Sequence, residues 1–253
     1  MTTAALLAVP NISEGRDEAL VRRIAGTDAL LDVSSDPDHN RSVLTYGGEP
    51  ERVMDACLAM IDRAVASLDL RDHTGVHPRF GVVDVLPFVP YGVDVANAEA
   101  SATEMVWRIG MGPGVPTFLY GTDRTLPELR RELRTNTQVH PTAGVICVGV
   151  REPLLAFNVN LRDSLDEAKL IARTVRSDQI RALAFELTSR RLVQVSMNLI
   201  DPLNVGPREV YRRVGALARD IVDCEVVGLV PDSVPTDGLP WRRPVRSIDE
   251  ALT

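Results

Sequence analysis

Residues 73–90 read HTGVHPRFGVVDVLPFVP. The first half, His73 to Gly81, holds two histidines, an arginine, two glycines and a proline; the second half is an almost unbroken apolar run. A short apolar run bounded by turn residues reads as a buried strand, and a polar turn delivered by such a strand is where loops tend to carry chemistry. His77 stands out. Pro78 pushes the preceding residue toward extended backbone, which removes one source of wobble from a side chain that must be aimed. Arg79 and Gly81 follow at once, and Asp84 lies within the strand.

On the N-terminal side, Ala5 to Pro10 reads as a first strand ended by proline. Residues 17–24 have helical spacing, with Leu20, Val21 and Ile24 on one face. ALLDV (29–33) is a second strand, SSDPDHNR (34–41) a polar turn and 43–46 a third strand. Residues 49–68 form a long amphipathic helix with Val53, Cys57, Met60, Ile61 and Val65 inside. On the C-terminal side come a helix at 94–109, a strand at 117–120, an arginine-rich helix at 125–133 and strands at 145–150 and 154–161. Ser164 with Glu167 forms a capping box that opens a helix over 164–175. Strands 180–187 and 192–199 pair around the turn 188–191. Pro207 opens a helix over 206–222, a last strand occupies 226–231, and 235–246 is a loose tail. This alternation of βαβ and ββα units predicts an α+β chain of two sandwiches, 1–162 and 163–253, with the boundary near Leu161 to Ser164.

Composition narrows the function. The chain has 253 residues, 45% hydrophobic and 25% charged, which is ordinary globular usage. A net charge of −7 argues against nucleic acid as a partner. Cys57, Cys147 and Cys224 are far apart, odd in number and without metal-ligand spacing, so reduced thiols and no bound metal are expected. The N-terminus lacks a basic region before its short apolar run, and no stretch is long enough to span a membrane; a cytoplasmic protein is expected. Lys169 is the only lysine and sits in a helical pattern, DEAKLIAR, which leaves no Schiff-base or Walker lysine. MGPGVP (111–116) precedes a strand rather than a helix and reads as a turn.

Seven segments, in order, resemble the formiminotransferase domain of the glutamate formiminotransferase family. They are VPNISEGR (9–16), LLDV (30–33) with HNRSV (39–43), the 73–90 stretch, LYG (119–121), AFNVNL (156–161), QVSMNLID (194–201) and VGLVP (227–231). The resemblance implies two ferredoxin-like subdomains, each a sheet covered on one face by helices, with folate in a cleft between them. It also implies a homodimer formed through the N-terminal subdomain. The family moves a formimino group from N-formimino-L-glutamate to N5 of tetrahydrofolate, which is a co-substrate, and its catalytic histidine corresponds to His77. An imidazole titrating near neutrality can take the proton from N5 and return it to the departing amine. Arg41 and Arg79 can grip substrate carboxylates with two-pronged geometry, or can instead form structural salt bridges. Asn158 and Asn160 alternate with apolar residues and share one face, where they meet either a pterin or solvent. Asn40 and Gly81 complete the expected substrate- and folate-binding set.

The sequence also departs from the family. Ser34 stands where the family has a carboxylate thought to assist the histidine; Asp36, or Asp38, is the expected substitute, with Asp36 taken as catalytic. His39 replaces a small residue before Asn40. TNTQVHPTAG (135–144) is all that remains of a longer segment with a DFGP motif. A short, stand-alone form is therefore expected. Two other readings stay open: a transferase or hydrolase of formimino, formyl or amidine groups on another small molecule, and a non-catalytic folate-binding module. Retention of His77 within its whole motif argues against the module, because binding alone needs no titrating group there.

Overall fold

The computed structural model describes residues 4–121, 123–134 and 139–253, so the first four residues of the shortened segment, 135–138, lie outside the described residues. The chain divides into two compact units: residues up to Glu152 with Leu252, and Pro153–Ala251 with Thr253.

The first unit runs β1 (Ala5–Ala8), β2 (Asn11–Ile12), α1 (Glu18–Ala25), β3 (Leu30–Asp36), β4 (Arg41–Gly48), α2 (Pro50–Ser67) and β5 (Val83–Tyr91). It continues with α3 (Val95–Met111), β6 (Thr117–Tyr120), α4 (Leu126–Leu133) and β7 (Ile146–Val150). β1 and β2 together fill one position, antiparallel to β4 on one side and β5 on the other. With β3 beyond β4 this is a βαββαβ sheet, extended past β5 by β7 and then β6, both parallel. Local chemistry sets the helix ends. The Asp17 carboxylate accepts the Leu20 N–H at 2.9 Å to cap α1, and Pro50 opens α2 where its missing N–H costs nothing.

Leu44, Tyr46, Leu86, Phe88, Ile146 and Val148 pack with Ile24, Cys57, Met60, Ile61 and Met105 of the helices. Each such fully buried aliphatic or aromatic side chain contributes about 1.5–3 kcal/mol. Val85 and Cys147 alternate with these strand residues and so point to the opposite face, where Leu129 and Leu133 of α4 cover them. Helices on one face only describe this sheet except for α4. The rest of that second face carries polar groups. All three cysteines are free and buried.

The second unit is β8 (Leu155–Leu161), α5 (Leu165–Val175), β9 (Ile180–Leu187), β10 (Leu192–Leu199), α6 (Pro207–Gly215) and β11 (Ile221–Val227), in sheet order β11-β8-β10-β9, all antiparallel. This too is βαββαβ. Phe157, Val159, Val195 and Met197 meet Ile171, Val210 and Val214 on the helical side.

Three details differ from the sequence expectation. The division falls at 152/153 rather than 162/163, because β8 is an inner strand of the second sheet, between β11 and β10. Ser34, Ser35 and Asp36 belong to β3 and pair with Val43, Ser42 and Arg41, so the hairpin turn is only 37–40. Residues 221–222 start a strand rather than end a helix. Their β-branched side chains follow the break at Ala216–Asp220, and Ile221 pairs with Leu161.

Candidate active site

Cross-strand partners share a face, so Asp32, Ser34 and Asp36 of β3 stand beside Thr45, Val43 and Arg41 of β4, with Asn11 of β2 next in line opposite Val43 and Val85. This is the face away from the main core. Against it lies the loop 73–81.

The loop is tied down by the hairpin turn. Asp36 Oδ1 accepts the His39 N–H at 2.8 Å, and Asn40 adopts φ +46°, a left-handed conformation that asparagine tolerates. The Asn40 amide then accepts from Gly15 N–H (3.0 Å) and donates to Thr74 O (2.9 Å). Arg79 spans the two segments: Nη1 donates to Asn40 O (3.0 Å), Nη2 to His39 O (3.0 Å) and His77 O (2.7 Å), and Nε to His77 O (3.1 Å). Its guanidinium thus reaches three backbone carbonyls, and among the described residues it forms no salt bridge. His73 is structural as well. Its Nδ1 lies 3.0 Å from Ser13 O, which can only accept, and burial with the nearby Arg79 charge pushes its pKa down to about 4.

His77 sits where this clamp places it. Nδ1 is 2.8 Å from Pro78 O, so the proton belongs on Nδ1 and the lone pair on Nε2. Arg41 Nη1 lies 2.8 Å from Nδ1 and 3.1 Å from Nε2, close to both ring nitrogens, which sets its positive charge directly against the imidazole. Arg41 Nε is fixed by Asn11 Oδ1 at 3.0 Å. Burial lowers the His77 pKa most, followed by the Arg41 charge, with His39 and Arg130 adding to the effect, to about 2. An imidazole titrating near neutrality is therefore not what the protein alone provides: the ring is half-buried among cations. Burial likewise lowers Arg41 to about 10, against the pull of Asp84.

Asp84, Arg130 and Asn11 complete the site and were not singled out for it from the sequence. Asp84 is 2% exposed; it accepts the Phe80 N–H at 2.8 Å and pairs with Arg130 Nη2, and Arg130 also lies over the Phe80 ring. A lone carboxylate inside VVDVLPF was the available signal, since buried acids require partners. Nothing in the sequence brings Arg130 there; that depends on α4 covering the second face.

The remaining expectations fare unevenly. Asp36 closes the hairpin turn through the His39 N–H. The carboxylate bonded to Ser34 is Asp32, whose Oδ2 accepts from Ser34 Oγ at 2.9 Å. Gly81 lies against backbone: a Cβ there would collide with Val145 O, and its own carbonyl accepts from Ser13 Oγ at 2.8 Å. In the second unit, Asn158 and Asn160 do share a face, but they meet acids of β11 rather than solvent. Asn160 Nδ2 donates to Asp223 Oδ1 (2.6 Å), Asn158 Nδ2 to Glu225 Oε1 (3.4 Å), and Gln194 Nε2 to Asn160 Oδ1 (3.0 Å). Arg190 and Arg242 neutralise Asp223 and Glu225. Among the described residues no three His, Cys, Asp or Glu side chains are grouped to hold a metal ion, and no helix is long and apolar enough to cross a membrane.

A polar sheet face thus presents a neutral, aimed imidazole beside an arginine with uncommitted N–H groups, an arrangement suited to proton transfer on an anionic substrate. Residues 5–138 match the family described as the formiminotransferase domain, N-terminal subdomain. The chain is similar to the glutamate formimidoyltransferase of Streptococcus pyogenes serotype M1, at 31% identity over 95% of this chain and 94% of that protein. A protein of the same name from Thermoplasma acidophilum is 33% identical over 96% and 93%. The formimidoyltransferase-cyclodeaminase of Sus scrofa is 33% identical over 88% of this chain and 49% of its own length.

Proposed function

Since the chain belongs to the formiminotransferase family, we propose that it moves a formimino group from N-formimino-L-glutamate to N5 of tetrahydrofolate, with His77 as general base and then general acid. It is an enzyme, a transferase of the glutamate formimidoyltransferase type. N5 attacks the formimino carbon and gives its proton to His77 Nε2 as the new C–N bond forms. The same proton then passes to the glutamate nitrogen as the old C–N bond breaks, so His77 ends as it began. Acid-base catalysis of this kind supplies about 10²- to 10⁴-fold, and holding two substrates together supplies more.

The observation that carries this reading is the fixed tautomer. Nδ1 stands 2.8 Å from Pro78 O, which can only accept, and this favours the Nδ1–H tautomer with Nε2 as the basic nitrogen. Arg41 supplies positive charge for a substrate carboxylate in the bidentate geometry that arginine favours. The test is an assay of the purified chain with both substrates, following 5-formimino-tetrahydrofolate directly. His77→Gln is expected to lower kcat by about 10²- to 10⁴-fold while tetrahydrofolate still binds. A variant within about tenfold of the native rate, a smaller loss than acid-base catalysis accounts for, would remove His77 from the mechanism. No turnover by the native chain would point to a different formimino donor.

A further inference from the structure

We infer that Ser13 is a positioning residue for His77: it holds both ends of the loop 73–81, and that closure fixes where the imidazole stands. The inference rests on the reading of His77 as the base and goes further, naming what keeps that base aimed.

Ser13 follows β2 directly and is buried. It meets the end of the loop twice: its N–H donates to Val82 O at 2.8 Å, and its hydroxyl to Gly81 O at 2.8 Å. It meets the start once, where Ser13 O accepts from His73 Nδ1 at 3.0 Å. The Asn40 amide, 3.4 Å from the same nitrogen, gives a proton to Thr74 O at 2.9 Å instead. His73 Nε2 is buried and has no partner among the described residues, so the ring serves the loop through Nδ1. A proton added at Nε2 would be buried without an acceptor, which keeps His73 neutral and its tie to Ser13 in place.

The residues after Ser13 make it a firm support. Ser42 Oγ donates to Glu14 O at 2.6 Å, and the Gly15 N–H to Asn40 Oδ1 at 3.0 Å. Gly15 lies so close to the hairpin that a Cβ would collide with Asp36 O and the Arg41 backbone. Arg16 then reaches Pro37 O through Nε (3.0 Å) and Thr74 Oγ1 through Nη1 (3.1 Å). Residues 13–16, SEGR, therefore join the hairpin turn to both ends of the loop. Arg79 fixes the His77 carbonyl, but one held carbonyl is a pivot; holding both ends removes the rotation about it. A displacement of about 1 Å at a reacting group costs up to roughly 10²-fold in rate. Release would also admit water to the ring, which now faces Arg41 from β4, His39 from the hairpin turn and Arg130 from α4.

Three variants of the full chain test this. Ser13→Ala removes the hydroxyl and leaves the Ser13 backbone bonds; His73→Ala removes the tie at the start; His73→Asn keeps a side-chain N–H close to the place of Nδ1. Each is assayed at a temperature where circular dichroism shows it folded, and is labelled with ¹⁵N-histidine. Long-range ¹H–¹⁵N spectra then report the protonation of His77, whose signals are identified by their loss in His77→Gln. Both alanine variants are expected to lower kcat by about 10- to 100-fold while tetrahydrofolate binds as before. Both should also raise the His77 titration midpoint toward about 6.5 as water reaches the ring. His73→Asn should recover most of both effects relative to His73→Ala. A merely structural tie would lower the melting temperature but leave kcat of the folded protein and the midpoint at native values, and that result overturns the inference. A His73→Asn protein no better than His73→Ala overturns it as well. Where Ser13→Ala does not fold, the two His73 variants carry the comparison. If His77→Gln abolishes turnover while the midpoint ignores the alanine variants, the base stands and the role of Ser13 falls. If the midpoint follows them but His77→Gln retains turnover, the base assignment falls and Ser13 still positions the ring.

Discussion

Replacing Arg79 by alanine separates two roles that the sequence alone leaves open, substrate ligand and structural clamp. In the structure four N–H groups of Arg79 reach three backbone carbonyls, those of His39, Asn40 and His77. A typical net hydrogen bond contributes about 0.5–1.5 kcal/mol, and a charged donor about 1.5–3. Two of the four bonds share the His77 carbonyl, and the loop is open enough for water to replace part of what is lost. Three acceptors at about 1 kcal/mol each therefore give an expected cost of about 2–3 kcal/mol. At about 2–4 °C per kcal/mol for a unit of this size, the melting temperature should fall by roughly 5–10 °C. Lysine can satisfy one carbonyl as a point donor but not three, so Arg79→Lys should recover only about a third of the loss. Because the clamp holds His77 through its own carbonyl, kcat should drop with the melting temperature, and KM for the carboxylate substrate should change less. Thermal unfolding by circular dichroism and steady-state kinetics on the same preparations make the comparison. An Arg79→Ala protein that melts like the native chain but has a selectively raised KM would refute the clamp and return Arg79 to the substrate.

The histidines give a pH dependence. Both His77, at about 2, and His73, at about 4, are held below their ordinary 6.5, so the unfolded chain binds protons that the folded chain does not. Stability should therefore fall as pH drops through about 6.5, and go on falling until the folded values are reached. Urea midpoints between about pH 4 and pH 7 should decline less steeply for His77→Gln than for the native chain; parallel curves would mean that His77 is not held neutral. Gly81→Ala should be strongly destabilising without altering charge, since the new Cβ meets the Val145 and Val83 carbonyls and relief requires backbone movement. A loss of about 1–3 kcal/mol is expected from chemical denaturation, and a native midpoint would show that the strands can part without cost.

How much could be read beforehand depends on the length scale of the interaction. Caps and periodicity are local, so the Ser164–Glu167 box and the apolar stripe of α2 were legible from neighbouring residues. Alternation of strands and helices indicated two α+β sandwiches, and the ferredoxin-like plan of each was what the family resemblance implied. Residues 34–36 looked like turn because serine and aspartate favour turns in isolation; pairing with β4 overrides that preference. The end of α6 and the start of β11 were misplaced for the same reason: only β8, some sixty residues earlier in the chain, tells Ile221 to be extended.

The sequence by itself marked out a histidine before proline and arginines in place of lysines, while the single acid inside an apolar strand was a signal left unread. Tertiary structure alone decided what each is free to do. Arg79 became a clamp, Asn160 a cross-strand bridge to Asp223, and Asp36 a turn closure, while Arg41 kept uncommitted donors and Arg130 arrived from α4. The physical reason is that a polar group's role is fixed by the partners within about 3 Å of it. In this chain those partners come from strands, turns and a helix that are far apart in sequence, brought together by burial of apolar surface that holds no information about hydrogen bonds.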